Sequence, residues 1–238
     1  MADVSISTIL YAVLGGAVPT FLWLWFWLSK DDNPEPGFVL TLAFIAGALS
    51  VLALFPLRHV VEGLPLSPNE TLILYAALEE ISKFLVVALI TFGSASLIEA
   101  TDYTIYLVTG ALGFSALENT FYLISPLIQK APIQTVIVTG NLRFFGATVL
   151  HTISVAIVGV FLGLAFRAGF FWKIIHALVG LLIGIALHST FNYFIMKDTR
   201  QGTIIAIAGI WFVGVIVILI FDRLRAYHET VAQQEYKL

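Results

Sequence analysis

Leu78-Glu79-Glu80-Ile81-Ser82-Lys83-Phe84 places two carboxylates and an amine inside a run, about Thr71 to Thr91, that otherwise reads as a bilayer-spanning helix. Each Asp, Glu or Lys near the centre of such a helix costs roughly 2.5–3.5 kcal/mol on insertion, so all three need partners facing the protein interior. Intramembrane ionisable groups mark working sites by default. A purely structural ion pair is the competing explanation, because Lys83 lies i+4 from Glu79 and i+3 from Glu80. Glu118 with Tyr122 and His188 with Asn192 are further i, i+4 pairs, each sharing one helix face, and His151 stands in an apolar stretch about two turns after Arg143.

Glutamates and histidines converging in a low-dielectric cavity are what water activation needs. A carboxylate can take a proton from water, an imidazole can share or relay it, and an amide or phenol can donate to an oxyanion. Peptide hydrolysis fits that inventory. An amide cannot act as the base, so His188 and Asn192 are expected to hold the scissile carbonyl oxygen while Glu79 or Glu80 with His151 handles the water. Glu118 belongs to the same catalytic set. Lys83 is expected to restrain the glutamate pair and Tyr122 to donate a hydrogen bond. Arg143 either supports the site or snorkels to the headgroups. A divalent metal held by Glu79, Glu118, His151 and His188 would use the same residues, although no HExxH pair is present.

The elements that must position these groups follow from composition. The chain has 238 residues, 59% hydrophobic and 11% charged, with mean hydropathy +0.97, which excludes an ordinary soluble domain. The fold class is all-α: a polytopic transmembrane helical bundle of about seven spans, each needing about 20 apolar residues. The spans read as Ile6–Leu28, Phe38–Leu57, Thr71–Thr91, Tyr103–Ile128, Leu142–Phe166, Phe171–Phe194 and Thr203–Phe221, with an interfacial piece from Ile133 and helix starts such as Ser67-Pro68-Asn69-Glu70. Residues 1–221 form one transmembrane domain, with the catalytic helices at about 71–194, and 222–238 form a polar C-terminal tail. Asp3 and the long aromatic first run argue for a retained first helix rather than a cleaved signal. A net charge of -3 without a basic run gives no reason to expect nucleic acid. Zero cysteines remove thiol chemistry and disulfides.

Alternating crossings put Glu79, Glu80, Glu118, His151 and His188 within about 9–15 Å of one membrane face, the face of the N-terminus. Those five side chains are expected to line one water-containing cavity. His176 falls near the other face and reads as structural. Outside the spans, Arg58, Lys130, Lys197 and Arg200 fall on the N-terminal face, against Lys30, Arg167, Lys173, Arg223, Arg225 and Lys237 on the other. That excess favours an outward N-terminus and a cytoplasmic C-terminus in a multi-pass cell-membrane protein.

Glu79-Glu80-x-x-Lys83, Glu118-x-x-x-Tyr122, the lone His151 and His188-x-x-x-Asn192, in this order on four helices, resemble the motifs of the PrsW-type intramembrane proteases, relatives of the CAAX prenyl proteases and of bacteriocin-processing membrane proteins. The resemblance covers about Ala76 to Tyr193, and departs mildly where Leu117 stands in place of the family's usual Phe. It implies a glutamic-type intramembrane endopeptidase acting on a membrane-associated protein or peptide, for instance in regulated cleavage of a membrane-anchored anti-sigma factor. A proton-coupled transporter or channel using the same Glu/His relay is the alternative from another class, although no internal repeat accompanies it. A haem protein with His151 and His188 as axial ligands and a non-catalytic scaffold are further readings.

Overall fold

A computed structural model describes residues 5–235, with side chains through Tyr227, so Asp3, Lys237 and the end of the tail lie outside the described residues. The helices are α1 (Ile6–Leu28), α2 (Gly37–Glu62), α3 (Pro68–Thr91), α4 (Asp102–Ile128), α5 (Ile133–Leu142), α6 (Thr148–Leu164), α7 (Phe170–Met196) and α8 (Arg200–Glu235), with a π turn over Arg143–Ala147 joining α5 to α6. Counting α5, the π turn and α6 as one crossing of 32 residues, six crossings are long and apolar enough to span a membrane. The seventh is α3, which has the length, 24 residues, and is set apart only by Glu79, Glu80 and Lys83. Its start is built as its sequence demands: Pro68 occupies the first turn, and Ser67 and Glu70 form a reciprocal capping box.

The bundle is organised around α4 and α6, which are buried along nearly their whole length. Neither could face lipid. Thr104, Thr109, Ser115, Glu118, Asn119 and Thr120 line α4, and intramembrane polar groups turn inward. Close approach of the neighbours requires small residues. A Cβ on Gly47 of α2 would strike the carbonyl of Gly110, one on Gly113 would strike that of Phe44, and one on Gly16 of α1 would lie 2.6 Å from the Thr120 nitrogen.

Several boundaries differ from the sequence-based expectation, and those of α2 and α8 bear on the site and its anchoring. α2 runs to Glu62 rather than Leu57, because the helix continues through polar residues once it leaves the apolar layer, and Arg58 is thereby helical. α8 begins at Arg200, inside the expected loop, where the Thr199 hydroxyl accepts from Gly202 N at 3.0 Å. α8 then continues past Phe221 as a helix and is anchored to the α1–α2 connection: Asp222 pairs with Lys30 at 3.0 Å and Arg225 with Asp32 at 3.3 Å.

The same connection sends Glu35 inward. Its carboxylate accepts from Tyr106 of α4, itself 2.6 Å from Ser96, and shares a further hydrogen bond with Asp102. Burial first, and then the neighbouring Asp102 charge, pushes the Glu35 carboxyl up from 4.5 to about 8, against the opposing Tyr106 hydrogen bond. The folded protein therefore keeps a proton that the unfolded chain releases above pH 4.5, and this contribution to stability is lost as pH rises toward about 8. Asp31, raised to about 6 chiefly by burial, acts with the same sign at lower pH. Thermal unfolding in detergent between about pH 6.5 and pH 9 is expected to show a falling midpoint that Glu35→Gln flattens; an unchanged slope in that variant would remove Glu35 as the cause.

Candidate active site

Glu79, Glu80 and Lys83 of α3, Glu118 of α4, His151 of α6 and His188 of α7 converge in the interior, none more than 6% exposed. Lys83 Nζ donates to Glu80 Oε1 at 2.7 Å and lies 3.0 Å from His151 Nδ1. With Lys83 as an ammonium, His151 Nδ1 is the acceptor, so its proton sits on Nε2 and is donated to Glu118 Oε2 at 3.0 Å. His188 Nδ1 donates to Glu80 Oε1 at 2.6 Å, which turns its Nε2 toward Glu79 Oε2, 3.6 Å away. The rings of His151 and His188 meet edge to face, 5.1 Å between centroids.

Glu118 is held from its other side. Arg143 donates to Glu118 through one terminal nitrogen and to Asn119 Oδ1 through Nε at 2.6 Å, and the Asn119 amide donates to Thr148 at 3.0 Å. Arg143 and His151 are eight residues apart, which in a regular α-helix leaves them about 80° out of phase at roughly 100° per residue. The π turn that starts at Arg143 absorbs one extra residue. Spacing then behaves as about seven residues, roughly 20° from alignment, and both side chains reach one carboxylate. Trp211 of α8 donates its indole N–H to the Phe145 carbonyl of this turn at 2.9 Å.

Above these groups opens a cavity of about 720 Å³, lined by Glu79, Glu118, His151, His188 and Asn192 among others, with Tyr122 and Arg143 in its wall. Asn192 has no hydrogen-bond partner among the described residues, so its amide is free to meet a bound oxygen. Tyr122 contributes its ring rather than the hydrogen bond expected of it: the Arg143 guanidinium lies 4.2 Å above the ring centroid. His176 stays apart, half-buried and bound to the Trp172 carbonyl at 2.8 Å. Beneath the site Val87, Leu107, Val108, Leu112 and Val155 fill the interior, each at most 1% exposed, so the cavity opens toward one face.

Two contributors were not among the candidate residues. Asn119, next to Glu118 in a buried span, carried a readable signal in being polar there. Arg58 was placed in a loop and instead donates from α2 to Glu79 Oε1.

A metal is implied by part of this chemistry, and the donor set fits one. Glu79, His151 and His188 each offer a ligand atom, all within 4.8 Å of one another. Glu79 Oε2 is buried without a hydrogen-bond partner among the described residues. Its 3.6 Å separation from His188 Nε2 is ordinary for two ligands of one tetrahedral ion. Glu118, the fourth expected ligand, is not in this group; its carboxylate meets Arg143 and His151, and His151 would have to release Lys83 or Glu118 to offer a nitrogen to an ion.

The comparisons with known proteins point to one family. Residues 35–221 match the family described as PrsW family intramembrane metalloprotease. The chain is similar to Protease PrsW of Geobacillus kaustophilus, 26% identical over 187 residues that cover 75% of this chain and 76% of that protein. It is also similar to Protease PrsW of Oceanobacillus iheyensis, 26% identical over 193 residues that cover 80% and 85% respectively. No solved structure matches. With the matched region spanning the whole bundle from α2 to α8, and the buried Glu/His site within it, the chain belongs to the PrsW family of intramembrane metalloproteases.

Proposed function

We propose that this intramembrane protease hydrolyses a peptide bond of a membrane-associated protein with water activated by Glu79, beside a His151 ring held between Lys83 and Glu118, and that Asn192 and His188 hold the scissile carbonyl oxygen. The supporting observation is Glu79 Oε2, a buried oxygen without a partner, facing His188 Nε2 at 3.6 Å on the wall of a cavity whose size suits a bound ligand. A single-span regulator of the anti-sigma type is the substrate class that the sequence resemblance implies.

Each residue has a distinct task in this reading. Glu79 accepts the proton of the attacking water and returns it to the leaving nitrogen as the C–N bond breaks, and the Asn192 amide donates to the oxygen that gains charge. Glu80 accepts the hydrogen bond of His188 Nδ1–H and so turns the ring's Nε2 to the cavity, while Lys83 ties Glu80 to His151. Arg143 and Asn119 hold Glu118, which fixes the His151 ring from the far side. Where a metal is bound, Glu79, His151 and His188 would hold it, and it would supply Lewis-acid polarisation of water and carbonyl. In the glutamic form without metal, His188 needs a second proton before Nε2 can donate to the oxyanion. Chelation separates these forms.

Cleavage of a single-span peptide by the reconstituted protein is expected to cease in Glu79→Gln and to be lost on chelation and restored by added Zn²⁺. Full activity after exhaustive chelation would assign the glutamic form. Loss of one oxyanion donor typically costs about 10²–10³ in rate, so Asn192→Ala should slow single-turnover cleavage by about that factor with peptide binding nearly unchanged. A binding defect with normal chemistry would make Asn192 a docking residue instead.

Lys83→Met leaves Glu80 buried without its ammonium partner. It is expected to destabilise the fold by about 3–5 kcal/mol, read by unfolding in mixed micelles, and adding Glu80→Gln should recover much of that loss. A single variant as stable as wild type would show that Lys83 is dispensable to the buried network.

A further inference from the structure

We infer that Arg58 is the positioning residue that aims Glu79 and also the point at which the main chain of the substrate is held. The inference rests on the protease reading above. Arg58 lies near the C-terminal end of α2, outside the four helices that carry the sequence motifs. One terminal nitrogen donates to Glu79 Oε1, and the guanidinium packs over Tyr75 of α3, 5.5 Å from the ring centroid. The carboxylate is thus gripped by one oxygen, which leaves the other, Oε2, directed at His188. A free Glu side chain would sample several rotamers, whereas this one is fixed by a planar donor that is itself braced by an aromatic ring.

The second observation concerns the rest of the guanidinium. Among the described residues neither Arg58 Nε, which is buried, nor its second terminal nitrogen has a hydrogen-bond acceptor, and Arg58 lines the cavity with its side chain 33% exposed. Buried donors are nearly always paired, and each exception calls for a missing partner. The partner must be an oxygen acceptor. Glu79 already balances the charge of Arg58, so a neutral carbonyl suits this position better than a carboxylate, which would crowd a second negative charge against Glu79. An extended peptide offers such carbonyls at every residue. Arg can make both contacts at once because its donors diverge in a fixed fork; Lys donates from a single nitrogen, which can keep the Glu79 pair but does not span both positions.

The test is single-turnover cleavage, beside binding of the same peptide in an uncleavable form, for wild type, Arg58→Ala and Arg58→Lys in the full chain. Arg58→Ala is expected to lower the chemical rate by about 10²-fold, the cost of a misaligned catalytic group, and to weaken peptide binding by about tenfold. Arg58→Lys should bring the rate back to within about tenfold of wild type while binding stays weak. Should Arg58→Ala fail to fold, Arg58→Lys carries the test through the same split between rate and binding. Wild-type rate and affinity in Arg58→Lys overturn the carbonyl contact, and a rate in Arg58→Lys as low as in Arg58→Ala overturns the positioning role. A wild-type protein that cleaves no peptide with any divalent metal removes the protease reading, and this inference with it.

Discussion

An ionised group in a medium that cannot solvate it must be answered by another, and the site is one unbroken answer to that requirement. Reading across the bundle, Arg58 meets Glu79, His188 bonds Glu80 and comes within 3.6 Å of Glu79, Lys83 joins Glu80 to His151, and Glu118 passes from His151 to Arg143. Three carboxylates alternate with three permanent cations and two imidazoles, so no charge lies buried against its own kind without an intervening partner. The alternation also fixes helix positions. Each link joins residues from different helices except Glu80 with Lys83, so α2, α3, α4, α6 and α7 are tied in register by this one set of buried polar groups.

The cost of that chain is met by the packing around it. α4 sits within touching distance of α1 and α2 through glycines, and the sub-layer of Leu107, Leu112 and Val155 keeps water from the underside. Electrostatic contacts are strong only where water is excluded, so the dry floor and the polar ceiling are one device. Breaking a single buried pair is costly for the same reason.

Much of this was legible beforehand. Helical spacing put Glu79 with Lys83 and His188 with Asn192 on shared faces, and counting crossings put five polar groups at one depth, because rise per residue and bilayer thickness leave little freedom. The three-dimensional partners were not legible. Lys83 reaches His151 on another helix, and Tyr122 serves as a platform for Arg143 rather than as a donor; both depend on how helices rotate about their axes, which periodicity does not encode. Arg58 was hidden by a boundary. An apolar run that ends at Leu57 looks like the end of a helix, yet backbone hydrogen bonding continues for another turn where headgroups and water can solvate the side chains.

The π turn at Arg143–Ala147 has a consequence for how relatives are compared. A helix that has swallowed one extra residue keeps its three-dimensional register while losing its one-dimensional register. A relative with a regular helix here would present the same arginine and histidine to the same carboxylate from positions seven apart instead of eight. An alignment that forbids a gap inside a transmembrane helix would then pair the histidine correctly and the arginine with its neighbour, and the arginine would look variable while its place in space had not changed.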